Sequence, residues 1–191
     1  YSKILSKNIE DSIAAKNATL ADNALIKTFE EVVAHVVACY RAGGRIYIAG
    51  NGGSAADAQH LSAEFVSKLA RDRNPLPAEA LTVDSSIITA SGNDYGFEQI
   101  FSRQLTGKLQ PNDVFLGITT SGKSPNILRA LEVCKEKDVK SIVFTGHDGA
   151  MAAKLADYSL IVAGQRTSTI QELHIVLAHS LCECVENEIC K

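Results

Sequence analysis

Five short apolar segments recur along this chain with helical segments between them, and this alternation limits the folds open to it. The apolar segments are 45–49, 80–83, 114–119, 141–145 and 158–162. Helical patterns cover 54–70, 98–109, 124–137, 150–155 and 170–187. Apolar strands that alternate with helices form a parallel sheet covered on both faces. We therefore predict the α/β class, as a doubly wound three-layer sandwich.

A helical N-terminal arm, residues 1–42, precedes the first predicted strand. Two helices are predicted between Ser2 and about Arg41, with a break at Asp22 or Asn23. An apolar stripe follows the second helix, and the arm has more apolar surface than one sheet face needs. Because 191 residues fit one domain, we predict a single domain, 1–191, in which the arm precedes an α/β core, 43–191.

Composition argues against several classes of function. The net charge is −3 and the basic residues are dispersed, so no nucleic-acid partner is expected. No apolar run approaches the roughly 18 residues of a membrane span and no signal peptide is recognised, so no membrane partner is expected either. The five cysteines form no C-x-x-C pair, which is typical of reduced thiols in the cytosol. We expect a cytoplasmic protein.

The segment I-Y-I-A-G-N-G-G-S-A-A-D-A-Q-H-L-S-A-E, residues 46–64, predicts a buried strand, a glycine-rich turn and a helix. The glycines allow the backbone to approach a ligand closely, and the N–H groups at the helix start favour an anion. His60 and Glu64 are spaced i,i+4 on one helix face, so they can converge on a single point. The segment therefore combines a possible phosphate loop with a possible pair of metal ligands.

A dinucleotide is a rival ligand for this turn. Gly50 to Ala55 matches the looser pattern G-x-G-x-x-A, and Asp84 follows the next predicted strand, where it could bind a ribose. Asp84, however, lies well beyond the usual offset of about 20 residues. An oxygen-rich or phosphorylated ligand is the favoured interpretation.

The segment G-I-T-T-S-G-K-S, residues 117–124, matches the nucleotide P-loop pattern. Its context favours another function, because Gly117 lies inside a predicted strand and Pro125 makes Ser124 a helix N-cap. The hydroxyl residues at this junction are Thr119, Thr120, Ser121 and Ser124. Hydroxyls in front of helix N–H groups suit a phosphate monoester better than ATP.

The last predicted helix begins T-I-Q-E, which indicates a capping box with Thr169 as N-cap and Glu172 as its partner. Gln171 and His179 lie on this helix in an otherwise apolar sequence. They are about two turns apart, roughly 12 Å along the axis, so both reach one ion only if it lies between them. Otherwise one of them serves a neighbouring subunit.

His, Glu, Gln and His side chains make a nitrogen and oxygen site for zinc or another divalent metal plausible. Such a site would combine His60 and Glu64 of the predicted helix 54–70 with Gln171 and His179 of the last predicted helix. The remaining histidines are interpreted as ordinary core or surface residues. They are His35, His147 and His174.

Together these motifs resemble the phosphoheptose isomerases of the sugar isomerase (SIS) family. The resemblance covers essentially the whole chain, through G-N-G-G-S-A-A-D-A-Q-H-x-x-x-E, A-x-T-x-D-x-S, G-N-D-Y-G-F, F-S-R-Q, T-S-G-K-S-P-N and I-Q-E-x-H-x-x-x-x-H. It implies a five-stranded parallel sheet with flanking helices, assembled as a homotetramer with active sites at subunit interfaces. The N-terminal arm would then be buried between subunits.

The resemblance also implies the site residues. The implied ligands of zinc, or of another single divalent ion, are His60, Glu64, Gln171 and His179. The implied sugar and phosphate contacts are Asn51, Gly52, Gly53, Asn93, Asp94, Thr119, Thr120, Ser121 and Ser124, with Glu64 and Gln171 also facing the substrate.

The implied reaction converts the ketose sedoheptulose 7-phosphate to the aldose D-glycero-D-manno-heptose 7-phosphate, toward the heptose of lipopolysaccharide or related glycans. A proton moves between C1 and C2 through an enediol, which requires a base, an acid and stabilisation of the developing charge. Glu64 is the candidate base and His179 the candidate acid, with the metal polarising the two oxygens.

Two positions depart from the family pattern. Lys68 stands where arginine is frequent, and an ammonium lacks the bidentate fork of arginine for phosphate. Thr169 stands where a basic residue often precedes I-Q-E. Both departures concern anion contacts beside the site and leave the candidate catalytic pair intact.

Three rival functions remain at this level. One is a non-enzymatic SIS protein that binds the replication initiator, against which the presence of Glu64 and His179 argues. Another is a phosphosugar-sensing SIS regulator, which is normally fused to a DNA-binding domain that is not visible here. The third is an ATPase, which depends on the P-loop match alone.

Overall fold

The computed structural model describes residues 1–190 and contains a parallel sheet of five strands. The strands are β1 Ile46–Gly50, β2 Ala78–Ala80, β3 Val114–Thr119, β4 Lys140–Gly146 and β5 Tyr158–Val162. The predicted α/β class and five-stranded parallel sheet are confirmed. β3 and β5 have the predicted bounds, whereas β2 begins two residues earlier than predicted and is shorter.

Eight α-helices occur within the described residues. They are α1 Ser2–Leu20, α2 Asn23–Arg41, α3 Gly53–Val66, α4 Ser85–Tyr95, α5 Ser102–Lys108, α6 Pro125–Glu136, α7 Ala150–Leu155 and α8 Thr167–Ile189, with a 3-10 turn at Phe97–Gln99. The two predicted N-terminal helices are present, and Asp22 separates them by accepting hydrogen bonds from the Ala24 and Leu25 amides, both at 3.0 Å. None of the described helices has the length and apolarity to cross a membrane.

The strand order is β2-β1-β3-β4-β5, and every neighbouring pair is parallel. The chain moves from β1 outward to β2, then returns to place β3 on the other side of β1. The carboxyl ends of β1 and β3 therefore lie side by side, with Gly50 paired to Ile118. In open parallel sheets such a change of direction opens a crevice in which ligands bind.

Alternate residues of the strands enter two separate cores. Ile46 and Ile48 face a core shared with α1, α2, α3 and α8, whereas Tyr47 and Ala49 face a core shared with α5, α6 and α7. This alternation follows from the two-residue period of a strand. The result is the predicted three-layer arrangement, with α3 and α8 packed on the same face of the sheet.

Helix α4 is the main element that the sequence analysis missed. Asp84 does not simply follow a strand; it caps α4 by accepting a hydrogen bond from the Ile87 amide at 2.9 Å. The segment that follows is rich in serine and contains Gly92, so it shows no clear helical period. A side-chain cap and contacts with the neighbouring 3-10 turn stabilise a helix of weak propensity here.

The predicted capping box at the start of the last helix is wrong. Helix α8 begins at Thr167, with Arg166 as N-cap, and Thr169 is a buried residue of its first turn. Glu172 faces α1 instead, where its carboxylate accepts hydrogen bonds from the Ser12 hydroxyl and from the Lys16 ammonium at 3.3 Å. The carboxylate thus stabilises helix packing rather than a helix end.

Candidate active site

Two polar loops meet at the carboxyl ends of β1 and β3. The first, Asn51 to Gly53, joins β1 to α3, and the second, Thr120 to Ser124, joins β3 to α6. Both loops therefore lead into helix N-termini, where unpaired backbone N–H groups favour an anion. The predicted location of the sugar and phosphate contacts is consistent with this arrangement of strands.

The first loop depends on two glycines. Gly52 has φ +55° and is the N-cap of α3, a conformation that favours glycine. Gly53 lies against Gln171 of α8, because a Cβ placed on Gly53 would be 2.5 Å from Gln171 Nε2. The absence of a side chain at Gly53 thus allows the Gln171 amide to lie directly over the turn.

The second loop has the conformation of a capped helix start rather than of a nucleotide P-loop. Gly117 lies within β3, Ser124 is the N-cap of α6 and Pro125 is its first residue, all as predicted. The hydroxyls of Thr119 and Ser124 hydrogen bond each other at 2.9 Å. Ser121 Oγ, which is exposed, accepts from the Lys123 amide at 3.2 Å.

An amide pair that sequence reasoning missed joins the two loops. Asn51 and Asn126 exchange two hydrogen bonds, with Nδ2–Oδ1 distances of 2.9 and 2.8 Å. Asn126 is almost fully buried on α6, so its side chain fixes the orientation of the half-buried Asn51. Only the adjacency of β1 and β3 reveals this contact, because the two residues are 75 positions apart.

Three of the four predicted metal ligands converge in this chain. His60 Nε2 lies 3.1 Å from Glu64 Oε1 and 3.4 Å from His179 Nε2. The ligand atoms of all three residues lie within 4.8 Å of one another. Helix α3 supplies the first two at i,i+4, and α8 brings His179 to the same point.

Asp57 is a second residue that the sequence analysis missed. It precedes His60 by almost one turn of α3, and its Oδ2 atom is buried without a hydrogen-bond partner among the described residues. Burial raises the pKa of the Asp57 carboxyl, and the imidazoles of His60 and His179 act in the opposite direction. A buried polar atom without a partner needs an explanation in a native fold, and a group bound between α3 and α8 would provide one.

The fourth predicted ligand, Gln171, lies at the other end of the same helix pair. Gly53 is beside Gln171 and His60 is beside His179, so α3 and α8 run in the same direction. Gln171 and His179 are eight positions apart on α8, about 12 Å along the helix axis. In one subunit the Gln171 amide therefore lies by the glycine turn, away from the centre of the histidine pair.

Asn93 and Asp94 lie at the exposed end of α4. The Asn93 amide donates to the Asp94 carboxylate at 2.8 Å, and the next residue, Tyr95, stacks under the Arg103 guanidinium at 3.6 Å. These contacts tie Asn93 and Asp94 to neither loop, so their place in the site stays a prediction.

His174 is a core residue, as expected. It is buried beside Phe144 and next to the Thr145 backbone, which acts on the pKa of His174 in the direction opposite to burial. Burial lowers the pKa of His174 to about 4, so the ring is neutral at physiological pH. It takes no part in the cluster on the neighbouring turn of α8.

Comparison with known proteins identifies the family of the chain. A SIS domain model matches residues 10–146. Phosphoheptose isomerase from Aneurinibacillus thermoaerophilus is 49% identical over 185 residues, which cover 97% of this chain and 93% of that protein. The chain belongs to the phosphoheptose isomerase family.

Two further matches support the family assignment. Phosphoheptose isomerase from Sulfurimonas denitrificans is 44% identical over 187 residues, covering 98% of this chain and 96% of that protein. The structure of phosphoheptose isomerase from Neisseria gonorrhoeae has a TM-score of 0.91 at 38% identity, covering 97% of this chain and 98% of that one. The family resemblance predicted from the motifs is confirmed, and the replication-initiator alternative is not favoured.

The two residues that depart from the family pattern, Lys68 and Thr169, both lie outside the cluster of candidate metal ligands. Lys68 is exposed after the end of α3, with its ammonium 3.9 Å from the Asp72 carboxylate. Thr169 is buried in the first turn of α8. Neither change disturbs the cluster of His60, Glu64 and His179.

Proposed function

We propose that this chain interconverts sedoheptulose 7-phosphate and D-glycero-D-manno-heptose 7-phosphate in the biosynthesis of a glycan heptose. The convergence of His60, Glu64 and His179 in a member of the phosphoheptose isomerase family carries the proposal. The reaction needs a base and an acid on one face of an open-chain sugar, and this cluster offers both next to two polar loops.

The second loop is proposed to bind the phosphate. Thr119, Thr120, Ser121 and Ser124 are its hydroxyl residues. They lie in front of α6, whose N-terminal N–H groups and dipole favour a dianion. The substrate hydroxyls are assigned to Asn51, Gly52 and Gly53 of the first loop, with Asn93, Asp94 and Gln171 completing the proposed contacts.

Glu64 and His179 are proposed to move the proton. In the direction of aldose formation, Glu64 takes a proton from C1 while His179 donates one to the C2 carbonyl oxygen, which gives the enediol. Glu64 then returns the proton to C2 while the His179 imidazole takes the proton from O1, which completes the aldose and regenerates both side chains. The Glu64 side chain is only 18% exposed, so this exchange would be shielded from water.

The donors fit a zinc ion. His60 and His179 direct imidazole nitrogens at each other and at the Glu64 carboxylate, and this mixture of nitrogen and oxygen ligands is typical of zinc. We propose these three residues as ligands. Gln171 is the proposed fourth ligand and, because it lies about 12 Å along α8 from His179, it would come from a neighbouring subunit. A bound divalent ion would polarise the substrate oxygens at C1 and C2. Because binding to an ion weakens a carboxylate as a base, Glu64 can act as base only while its carboxylate is free. For the same reason, His179 can donate a proton only from a ring nitrogen that the ion does not occupy.

A homotetramer with active sites between subunits is proposed for the assembly. The arm, residues 1–42, presents unusually many exposed apolar side chains, which are Ile4, Leu5, Ile9, Ile13, Leu20 and Ile26. An apolar groove of about 390 Å³ also lies between α1, α2 and α8. Exposed apolar side chains beside an apolar groove are typical of a protein contact. Sedimentation equilibrium should give four times the chain mass of 20.4 kDa.

We propose that the enzyme works in the cytoplasm. All five cysteines are free, and three of them are buried. Unpaired thiols are typical of a reducing compartment. Nucleic-acid and membrane partners are not part of the proposal.

The deciding experiment incubates the protein with sedoheptulose 7-phosphate and follows aldose formation with and without a chelator. We expect turnover that the chelator removes and added zinc restores, and absence of turnover at every metal loading would refute the isomerase. Glu64→Gln should bind the substrate in calorimetry and turn over at least about 10²-fold more slowly, as loss of a general base does. A near-native rate for that variant would exclude Glu64 as the base.

A further inference from the structure

A buried ion pair lies just beyond the candidate site, between the helices that carry its residues. Arg73 and Glu186 have side chains that are 4% and 1% exposed, and Arg73 Nη2 lies 2.9 Å from Glu186 Oε1. The Arg73 Nε atom donates to the same carboxylate at 2.9 Å. Burying two charges is costly unless further hydrogen bonds satisfy them, so the other contacts of the pair show what it holds.

The Arg73 guanidinium closes the C-terminal end of α3. It donates from Nη2 to the Glu64 carbonyl at 2.9 Å, and from Nη1 to the Phe65 carbonyl at 2.7 Å. These carbonyls belong to the last turn of the helix, where no intrahelical donor is available. The backbone of Glu64 is therefore held directly by Arg73.

The Glu64 and Phe65 carbonyls differ in the hydrogen bonds that they accept from groups other than Arg73. The Phe65 carbonyl also accepts from the Leu76 amide at 3.0 Å. The hydrogen bond seen at the Glu64 carbonyl comes from Arg73. Loss of the guanidinium would therefore act first on Glu64 and only second on its neighbour.

Glu186 connects this end of α3 to α8. Its carboxylate accepts from the Leu69, Ala70 and Arg71 amides at 3.0, 3.2 and 3.4 Å, which fixes the segment after α3. Glu186 follows His179 by seven residues, almost two turns, so both lie on the same face of α8. One ion pair thus ties the turn that carries Glu64 to the helix that carries His179.

We propose that Arg73 and Glu186 are positioning residues for the isomerase reaction. They set the place of the Glu64 carboxylate relative to the His179 imidazole, without contacting the substrate. The inference depends on the roles proposed for Glu64 and His179. Since a misplacement of about 1 Å can cost about 10²-fold in rate, a small displacement of the last turn of α3 suffices to impair proton transfer.

The test compares two conservative variants, Arg73→Lys and Glu186→Gln. Lysine keeps the charge of Arg73 but cannot bind the carboxylate and two carbonyls at once. We expect kcat to fall about 10- to 100-fold in both variants, with the calorimetric Kd for sedoheptulose 7-phosphate within about twofold of the parent. Leu109→Ala serves as a control that loses stability, because Leu109 is buried in the core shared with α5, α6 and α7, separate from the core that contains α3 and α8.

The outcomes separate this inference from the proposed function. If the parent enzyme shows no turnover, the proposed function itself fails. If the parent is active and either variant, folded by circular dichroism, keeps kcat within twofold, the positioning role is wrong. The positioning role is also wrong if Leu109→Ala lowers the melting temperature by the same amount as Arg73→Lys and Glu186→Gln and lowers kcat by the same factor. If Arg73→Lys does not fold, the kcat of Glu186→Gln alone tests the positioning role.

Discussion

Gly53 offers the sharpest test of the site, because it separates stability from activity. A Cβ at this position would lie 2.5 Å from Nε2, 3.1 Å from Cδ and 3.3 Å from Oε1 of Gln171. Gly53→Ala must therefore displace the end of a flexible side chain, while the backbone of both helices can stay in place. We expect the change to move the Gln171 amide away from the glycine turn.

The stability cost of Gly53→Ala should be small. Alanine is favoured over glycine in a helix by up to about 1 kcal/mol, and an adjusted Gln171 rotamer costs about 0.5–1.5 kcal/mol. These contributions nearly cancel, so the melting temperature should change by less than about 4 °C. The catalytic cost should be large, about 10²-fold in kcat/KM, because a proposed substrate and metal contact has moved.

The assay measures kcat/KM for aldose formation beside a thermal melt of each variant. Gly107→Ala in α5 is the matched control, because a Cβ there meets nothing within 4 Å. Gly50→Ala is the contrasting case, since its Cβ would lie 2.4 Å from the Ser54 carbonyl oxygen, a backbone atom. If Gly53→Ala keeps kcat/KM within twofold of the control, Gln171 has no role at the turn.

Two further predictions concern buried polar side chains. Burial gives His174 a pKa of about 4 in the folded state, against an ordinary histidine value of 6.5. Between these two pH values the unfolded chain binds more protons than the folded chain, so the free energy of unfolding falls as the pH drops. The total loss of stability is about 3 kcal/mol. Urea titrations of the parent and of His174→Leu from pH 7 to 4 should diverge by about this amount, and parallel curves would contradict the prediction. Asn126→Ala should raise KM about tenfold with kcat little changed, because it removes both hydrogen bonds that orient Asn51, and ordering the freed side chain on substrate binding then costs about 1.4 kcal/mol. Initial rates measure this, and an unchanged KM would show that Asn51 needs no support.

The sequence predicts the sheet well because strand and helix periods differ clearly. β3 and β5, which are apolar and flanked by turn residues, have the predicted bounds. Helix α4 escaped prediction because its stability depends on the Asp84 cap and on packing rather than on propensity. The capping box failed for a related reason, since Glu172 finds partners on α1 that are far away in sequence.

Only part of the candidate site can be predicted from spacing. His60 and Glu64 are neighbours through local helix geometry, so the i,i+4 rule suffices. His179 joins them across 119 positions of sequence, and here the family motifs supplied what local rules could not. Asp57, Asn126 and Arg73 were missed because burial and tertiary partners, rather than residue type, single them out.

The strand order also constrains the sequence of folding events. β1 pairs with β3, for example Ile46 with Val114, only after the chain between them has closed a loop of more than sixty residues. Long-range parallel pairing of this kind is slow, because the entropy of loop closure is lost before any contact compensates for it. His179 arrives later still, on the last helix. A nascent chain therefore has no assembled cluster of His60, Glu64 and His179 until α8 has been synthesised and packed, so activity would report on the docking of that helix.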